Sequence, residues 1–136
     1  MKPSHIEHIG IAVNSLGTAI PYYEQLLEQK CYLIEEVIDQ KVKTAFFKVG
    51  NTKIELLEPT ANDSPIAKYL EKNPHGGVHH IAFSVTGLQQ VLDEVAETGV
   101  QLIDKTPRKG AEGLNIGFLH PKSTFGVLTE LCEAPK

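Results

Sequence analysis

Glu7-His8-Ile9-Gly10-Ile11-Ala12-Val13 is written twice in this chain, returning as His79-His80-Ile81-Ala82-Phe83-Ser84-Val85, so that His8 aligns with His80, 72 residues on. Read as strands, whose side chains alternate between faces, the two copies agree. One face carries Ile9, Ile11 and Val13, or Ile81, Phe83 and Val85; it is apolar and calls for a covering helix. The other carries His8, Gly10 and Ala12, or His80, Ala82 and Ser84. A histidine followed by small side chains leaves room beside it for a bound ion and a ligand.

Outward from the first copy, the strand spans about 6–13 and Asn14 or Ser15 is placed to cap a helix. Leu16, Ala19, Ile20, Tyr23, Leu26 and Leu27 recur at helical spacing. Pro21 removes a backbone donor inside that helix and predicts a kink or a late start. Strands are predicted near 30–38, 42–49 and 52–58, with Gly50-Asn51 as the hairpin turn between the last two. After the connector Thr60-Ala61-Asn62-Asp63, Ser64 caps a short helix with Pro65 in its first turn and Ile66, Tyr69 and Leu70 on its apolar side. Asn73-Pro74-His75-Gly76-Gly77 ends it.

The second copy opens a strand at 78–85. Thr86 is the expected cap of a helix that turns Leu88, Val91, Leu92 and Val95 inward and closes at Gly99. Strands are predicted near 100–104, 114–119 and 126–132, separated by a glycine-rich basic stretch, 105–113, that reads as a mobile loop. The repeat also holds at its far end. Glu55-Leu56-Leu57-Glu58-Pro59 matches Glu130-Leu131-Cys132-Glu133-Ala134-Pro135, and the intervals from His8 to Glu55 and from His80 to Glu130 are 47 and 50 residues.

Each half is therefore strand, helix, three strands. The expected fold is α+β, a single domain over 1–136 made of two βαβββ modules, about 5–59 and 77–133, joined by a helical connector, 60–76. Neither module buries its sheet well alone, so the two pair into one curved eight-stranded mixed sheet with helices on the convex face. His8, Glu55, His80 and Glu130 are expected together on the concave face.

The bulk properties narrow the classes. A chain of 136 residues that is 41% hydrophobic can build a core. It has no apolar run of membrane-spanning length and no signal-peptide pattern at its N-terminus, so a cytoplasmic protein without a membrane partner is expected. A net charge of −4 with no basic tail argues against nucleic acid. Cys31 and Cys132 fall in predicted strands and are expected as free, buried thiols.

Two imidazoles and two carboxylates converging in a cleft suit zinc, cobalt, manganese, nickel or iron, whereas calcium takes oxygen ligands alone. Lone strand histidines are usually structural, and His5, His75 and His120 are left in that class. His79 points to the face opposite His80. What sets His8, Glu55, His80 and Glu130 apart is their matched position in an internal repeat.

The HIGIAV and HHIAF pairing with its terminal glutamates resembles the vicinal oxygen chelate superfamily, which includes glyoxalase I. Through "NTKIELLEP", "DSPIAKYLEKN", "GGVHHIAF", "PRKGAEG" and "FLHPKSTFGVLTEL", the chain resembles the methylmalonyl-CoA epimerases over nearly its whole length. That resemblance implies interconversion of (2R)- and (2S)-methylmalonyl-CoA by metal-assisted removal and return of the C2 proton through an enolate. It implies one divalent ion per chain, cobalt ahead of manganese, nickel or zinc, with His8, His80 and Glu130 as ligands. Glu55 falls on a ligand position that is glutamine in some epimerases and glutamate in glyoxalase I. Some epimerases place a second catalytic glutamate where this chain has Thr44, which cannot serve as a carboxylate base. Glu55 and Glu130 are then the two expected catalytic bases. Arg108, Lys109 and Lys122 are candidate contacts for the phosphates of an acyl-CoA, and a homodimer is expected. A lactoylglutathione lyase, a ring-cleaving dioxygenase and a metal-free binding protein of the same fold are the competing readings.

Overall fold

The computed structural model describes residues 1–135; Lys136, the end of the expected single-domain span, lies outside them. The elements are β1 (His5–Ala12), α1 (Leu16–Leu27), β2 (Leu33–Val37), β3 (Val42–Val49), β4 (Thr52–Pro59), α2 (Pro65–Lys72), β5 (Gly77–Ser84), α3 (Leu88–Glu97), β6 (Arg108–Lys109), β7 (Asn115–Leu119) and β8 (Thr129–Glu133). The strands form one mixed sheet in the hydrogen-bonded order β2-β3-β4-β1-β5-β8-β7-β6. By contacts the chain divides into a middle unit, Ile9–His79, and an outer unit that joins Met1–His8 to His80–Lys136. The division runs through β1 between His8 and Ile9, so the first histidine of the repeat belongs with the second.

In the middle unit, β3 and β4 pair antiparallel over eight consecutive residues, from Val42 opposite Pro59 to Val49 opposite Thr52. Gly50, with φ of 62°, and Asn51 close the predicted two-residue turn. Helix α1 starts at Leu16 and runs through Pro21, so of the expected kink or late start the late start does not occur. Its apolar stripe covers Ala45, Phe47 and Leu56, with Ile11 of β1 and Val13 just after it beside them. Fully burying a side chain such as Phe47 or Leu56 contributes roughly 1.5–3 kcal/mol. Ser64 caps α2 as expected, its Oγ accepting from Ile66 N at 3.1 Å. Ile66 and Leu70 then close over Ala12, Val42 and Leu57. The loop after α2 requires glycine at 76: its φ is 84°, and a Cβ there would lie 2.4 Å from the Ala12 carbonyl oxygen.

In the outer unit, β5 and β8 are parallel and β7 and β8 antiparallel. Helix α3 buries Leu88, Val91 and Leu92 against Val85, Leu119 and Leu131. Behind them, Ala82, Ile116, Phe118 and Cys132 form a second cluster on the opposite sheet face.

Four local expectations are corrected. The predicted strand at 100–104 is reduced to a single bridge, Leu102 to Leu119, because Asp104 turns the chain: its carboxylate accepts from Phe118 N at 2.9 Å. The basic stretch predicted as a mobile loop instead holds β6, paired with β7 at Arg108–Ile116 and Lys109–Asn115. The strand predicted from 126 starts at Thr129, since Phe125 and Gly126 take positive φ in a turn. Cys31 lies outside β2 and is only half-buried, whereas Cys132 is buried in β8; neither forms a disulfide.

The helix caps also differ from expectation. Ser15 makes no side-chain cap bond, and the Asn14 amide donates to the Pro74 carbonyl instead. Glu58 of β4 takes the cap role, its carboxylate accepting from Leu16 N at 2.8 Å. At α3 the N-cap is Gly87 rather than Thr86, and Glu133 of β8 accepts from Gly87 N at 2.6 Å and Leu88 N at 3.1 Å. The second glutamate of each ELxE repeat thus neutralises the positive end of its own module's helix.

Candidate metal centre

Three of the four proposed ligands meet in the outer unit. His8 comes from β1, His80 from β5 and Glu130 from β8. The β5–β8 register places Ala82 opposite Glu130, so His80, two residues earlier on the same face, is its diagonal neighbour. The small side chain at 82 leaves room for both. His8 Nε2 lies 3.1 Å from His80 Nε2. The Glu130 oxygens lie 3.4 Å from each: Oε2 from His8 Nε2 and Oε1 from His80 Nε2. The imidazoles meet edge to face, centroids 5.1 Å apart, and Phe118 of β7 packs edge-on against His80. The three residues are only 3%, 6% and 3% exposed.

That geometry fits a divalent ion. Metal–ligand bonds of ~2.0–2.2 Å separate neighbouring ligands by about 3 Å around an octahedron and about 3.4 Å around a tetrahedron. The observed 3.1–3.4 Å falls in that range. Glu130 Oε2 is also buried without a hydrogen-bond partner among the described residues, which an ion between the three groups would remedy. Two nitrogens and a carboxylate are a donor set for first-row transition metals rather than calcium. The three form a group able to hold a metal.

Glu55 lies in the middle unit, 4% exposed on β4 opposite Phe46 of β3. Thr44, two residues before Phe46 on the same face of β3, is buried with its Oγ1 lacking a hydrogen-bond partner among the described residues. His79 stacks on Tyr69 of α2, centroids 5.3 Å apart, while burial pushes its pKa down to about 4 and keeps it neutral at physiological pH. His5 and His75 are exposed, and His120 Nδ1 accepts from Lys122 N in a turn. Arg108 pairs with Asp104 at 3.0 Å and lies over the Phe118 ring; Lys109 and Lys122 are exposed.

Glu7 is the residue that sequence reading passed over. It is 8% exposed, and its Oε1 lies 2.7 Å from His8 Nδ1. The one available signal was an acid directly preceding the first histidine of the repeat.

With fold and site in hand, residues 7–118 match the family model of the glyoxalase/bleomycin resistance protein/dioxygenase superfamily. The chain belongs to that superfamily. It is 46% identical to an uncharacterised protein of Bacillus subtilis, over 96% of this chain and 92% of that one. It is 39% identical to an ethylmalonyl-CoA/methylmalonyl-CoA epimerase of Cereibacter sphaeroides, over 93% of this chain and 95% of that one. Among solved structures, a Streptomyces coelicolor methylmalonyl-CoA epimerase in complex with 2-nitronate-propionyl-CoA superposes with a TM-score of 0.94 at 35% identity, covering 99% of this chain and 100% of that one.

Proposed function

We propose that this chain is a methylmalonyl-CoA epimerase, interconverting the (2R) and (2S) epimers by removing the C2 proton on one face and returning a proton on the other. The observation that carries this reading is the buried convergence of His8 Nε2, His80 Nε2 and the Glu130 carboxylate. Its support from outside is that relatives alignable over nearly the whole chain bear that name.

His8, His80 and Glu130, with Glu55 as the fourth ligand, hold one divalent ion per chain, cobalt first and manganese, nickel or zinc as alternatives. When bound, that ion supplies positive charge where negative charge builds on the thioester oxygen. The rest falls to side chains. His8 and His80 are neutral, orienting ligands. Glu130 takes the proton from one face of C2, and Glu55 delivers one to the other. Thr44 has no carboxylate and leaves this second role to Glu55.

Lys109 and Lys122 are free to meet the phosphates of the coenzyme A ester. Arg108, whose side chain is the exposed partner of its pair with Asp104, joins them by exchanging Asp104 for phosphate. The protein works as a homodimer in the cytoplasm, in propionate metabolism. No helix among the described residues is long and apolar enough to cross a membrane. The test is deuterium exchange at C2 of methylmalonyl-CoA in heavy water with purified, metal-loaded protein. Epimerisation with C2 exchange supports the reading. Turnover of the methylglyoxal–glutathione hemithioacetal alone would replace it with a lactoylglutathione lyase.

A further inference from the structure

Glu7 is a buried acid that the proposed proton transfers do not use. Taking a carboxylate out of water costs several kcal/mol unless a partner compensates, so its position calls for an explanation. Strand alternation turns residue 7 away from the face that residue 8 occupies. Nevertheless its Oε1 reaches His8 Nδ1 at 2.7 Å, the length of a charge-assisted hydrogen bond. An ionised carboxylate can only accept, so in a neutral His8 held by it Nδ1 carries the hydrogen and Nε2 keeps its lone pair. Nε2 is also the atom that faces His80 Nε2 at 3.1 Å and Glu130 Oε2 at 3.4 Å. The tautomer set by Glu7 is therefore the one that presents a lone pair to the candidate metal position.

We propose that Glu7 is the positioning residue of His8. It locks the Nδ1–H tautomer and the ring orientation, and it raises the basicity of Nε2 toward a divalent ion. This deepens the metal-site reading and rests on it. Glu7 makes no contact with substrate in this scheme. A purely structural Glu7 would affect folding and leave both the tautomer and the metal affinity of His8 alone.

Two measurements on the full chain separate these. The first uses metal-free protein with labelled histidine at mildly alkaline pH. Long-range proton–nitrogen spectra should show His8 protonated at Nδ1 in the wild type. In Glu7→Leu that proton should move to Nε2 or divide between the nitrogens. The second is a competition titration with Co²⁺. Glu7→Leu should weaken binding by roughly 10–100-fold. Glu7→Gln, which keeps an acceptor oxygen without the charge, should weaken it less and shift the cobalt visible spectrum. Should Glu7→Leu fail to fold, Glu7→Gln carries the test.

An unchanged tautomer together with unchanged cobalt affinity in both variants overturns the proposal. So does a loss of cobalt as complete as in His80→Ala, which would make Glu7 a ligand. If the wild type binds no divalent ion at all, the metal-site reading falls by itself, and the spectra still decide whether Glu7 governs the tautomer.

Discussion

The two copies of the repeat have kept different things. The first, in the middle unit, keeps its strands: β3 and β4 pair without a break over eight residues, and β2 pairs with β3 over five more. The second, in the outer unit, lets its edge go. The counterpart of β2 shrinks to one bridge at Leu102, and the chain then makes the two-residue β6. The irregular copy carries Arg108, Lys109 and Lys122, together with His80 and Glu130. It also receives His8 from the N-terminal segment. Regular pairing makes a rigid support, while broken pairing frees backbone and side chains to meet a ligand. In the proposed scheme the regular copy supplies Glu55, and the irregular copy, with His8, supplies the remaining ligands.

The sharpest way to test that division is to strike the proposed ligands of the outer unit. His80→Ala should lose its metal by elemental analysis and fall to near-zero turnover. His79→Ala, one residue earlier and stacked on Tyr69, should keep most activity. Equal losses in the two would mean that the strand register assigned to β5 is off by one.

The next effect compares the copies directly, through Glu55 and Glu130. General acid–base groups typically contribute ~10²–10⁴-fold. Glu55→Gln and Glu130→Gln should each lose that much epimerisation while retaining substantial metal, because a Gln carbonyl still ligates but accepts no proton as a base. Each single variant should still exchange the C2 proton of one epimer with solvent deuterium, and the two variants should favour opposite epimers. Near-wild-type epimerisation in Glu55→Gln would leave Glu55 as a ligand only.

The paired caps give a smaller, structural comparison. Glu133 accepts from two helix N–H groups and Glu58 from one. Losing a cap costs ~0.5–2 kcal/mol. Glu133→Ala should fall at the upper end of that range and Glu58→Ala nearer the lower, read from urea denaturation midpoints. A reversed order would show that the cap bonds are not what these glutamates contribute.

The smallest effect belongs to the irregular edge. Neutralising Arg108 and Lys109 together should raise KM for the acyl-CoA severalfold and leave kcat nearly unchanged, since contacts to a remote part of the substrate act on binding. An unchanged KM would place the nucleotide elsewhere on the protein.

Much of this molecule is decided by its sequence, because the deciding features are local or periodic. Alternation in the two histidine strands marks their faces. Gly50-Asn51 specifies a hairpin turn, Ser64-Pro65 starts a helix, and the repeat of histidine and glutamate picks out the ligand candidates before any coordinates exist. Tertiary structure alone decided what depends on partners distant in the chain. Glu58 and Glu133 look like solvated strand ends until α1 and α3 bring their bare N–H groups to them. The strand expected at 100–104 has adequate propensity, yet Asp104 is drawn to Phe118 N and the ladder stops. Glu7 follows the alternation rule in sequence and departs from it in space, because its flexible side chain bends back to satisfy a buried imidazole. Periodicity can say which face a residue starts from; only the packed structure says where its functional atom ends.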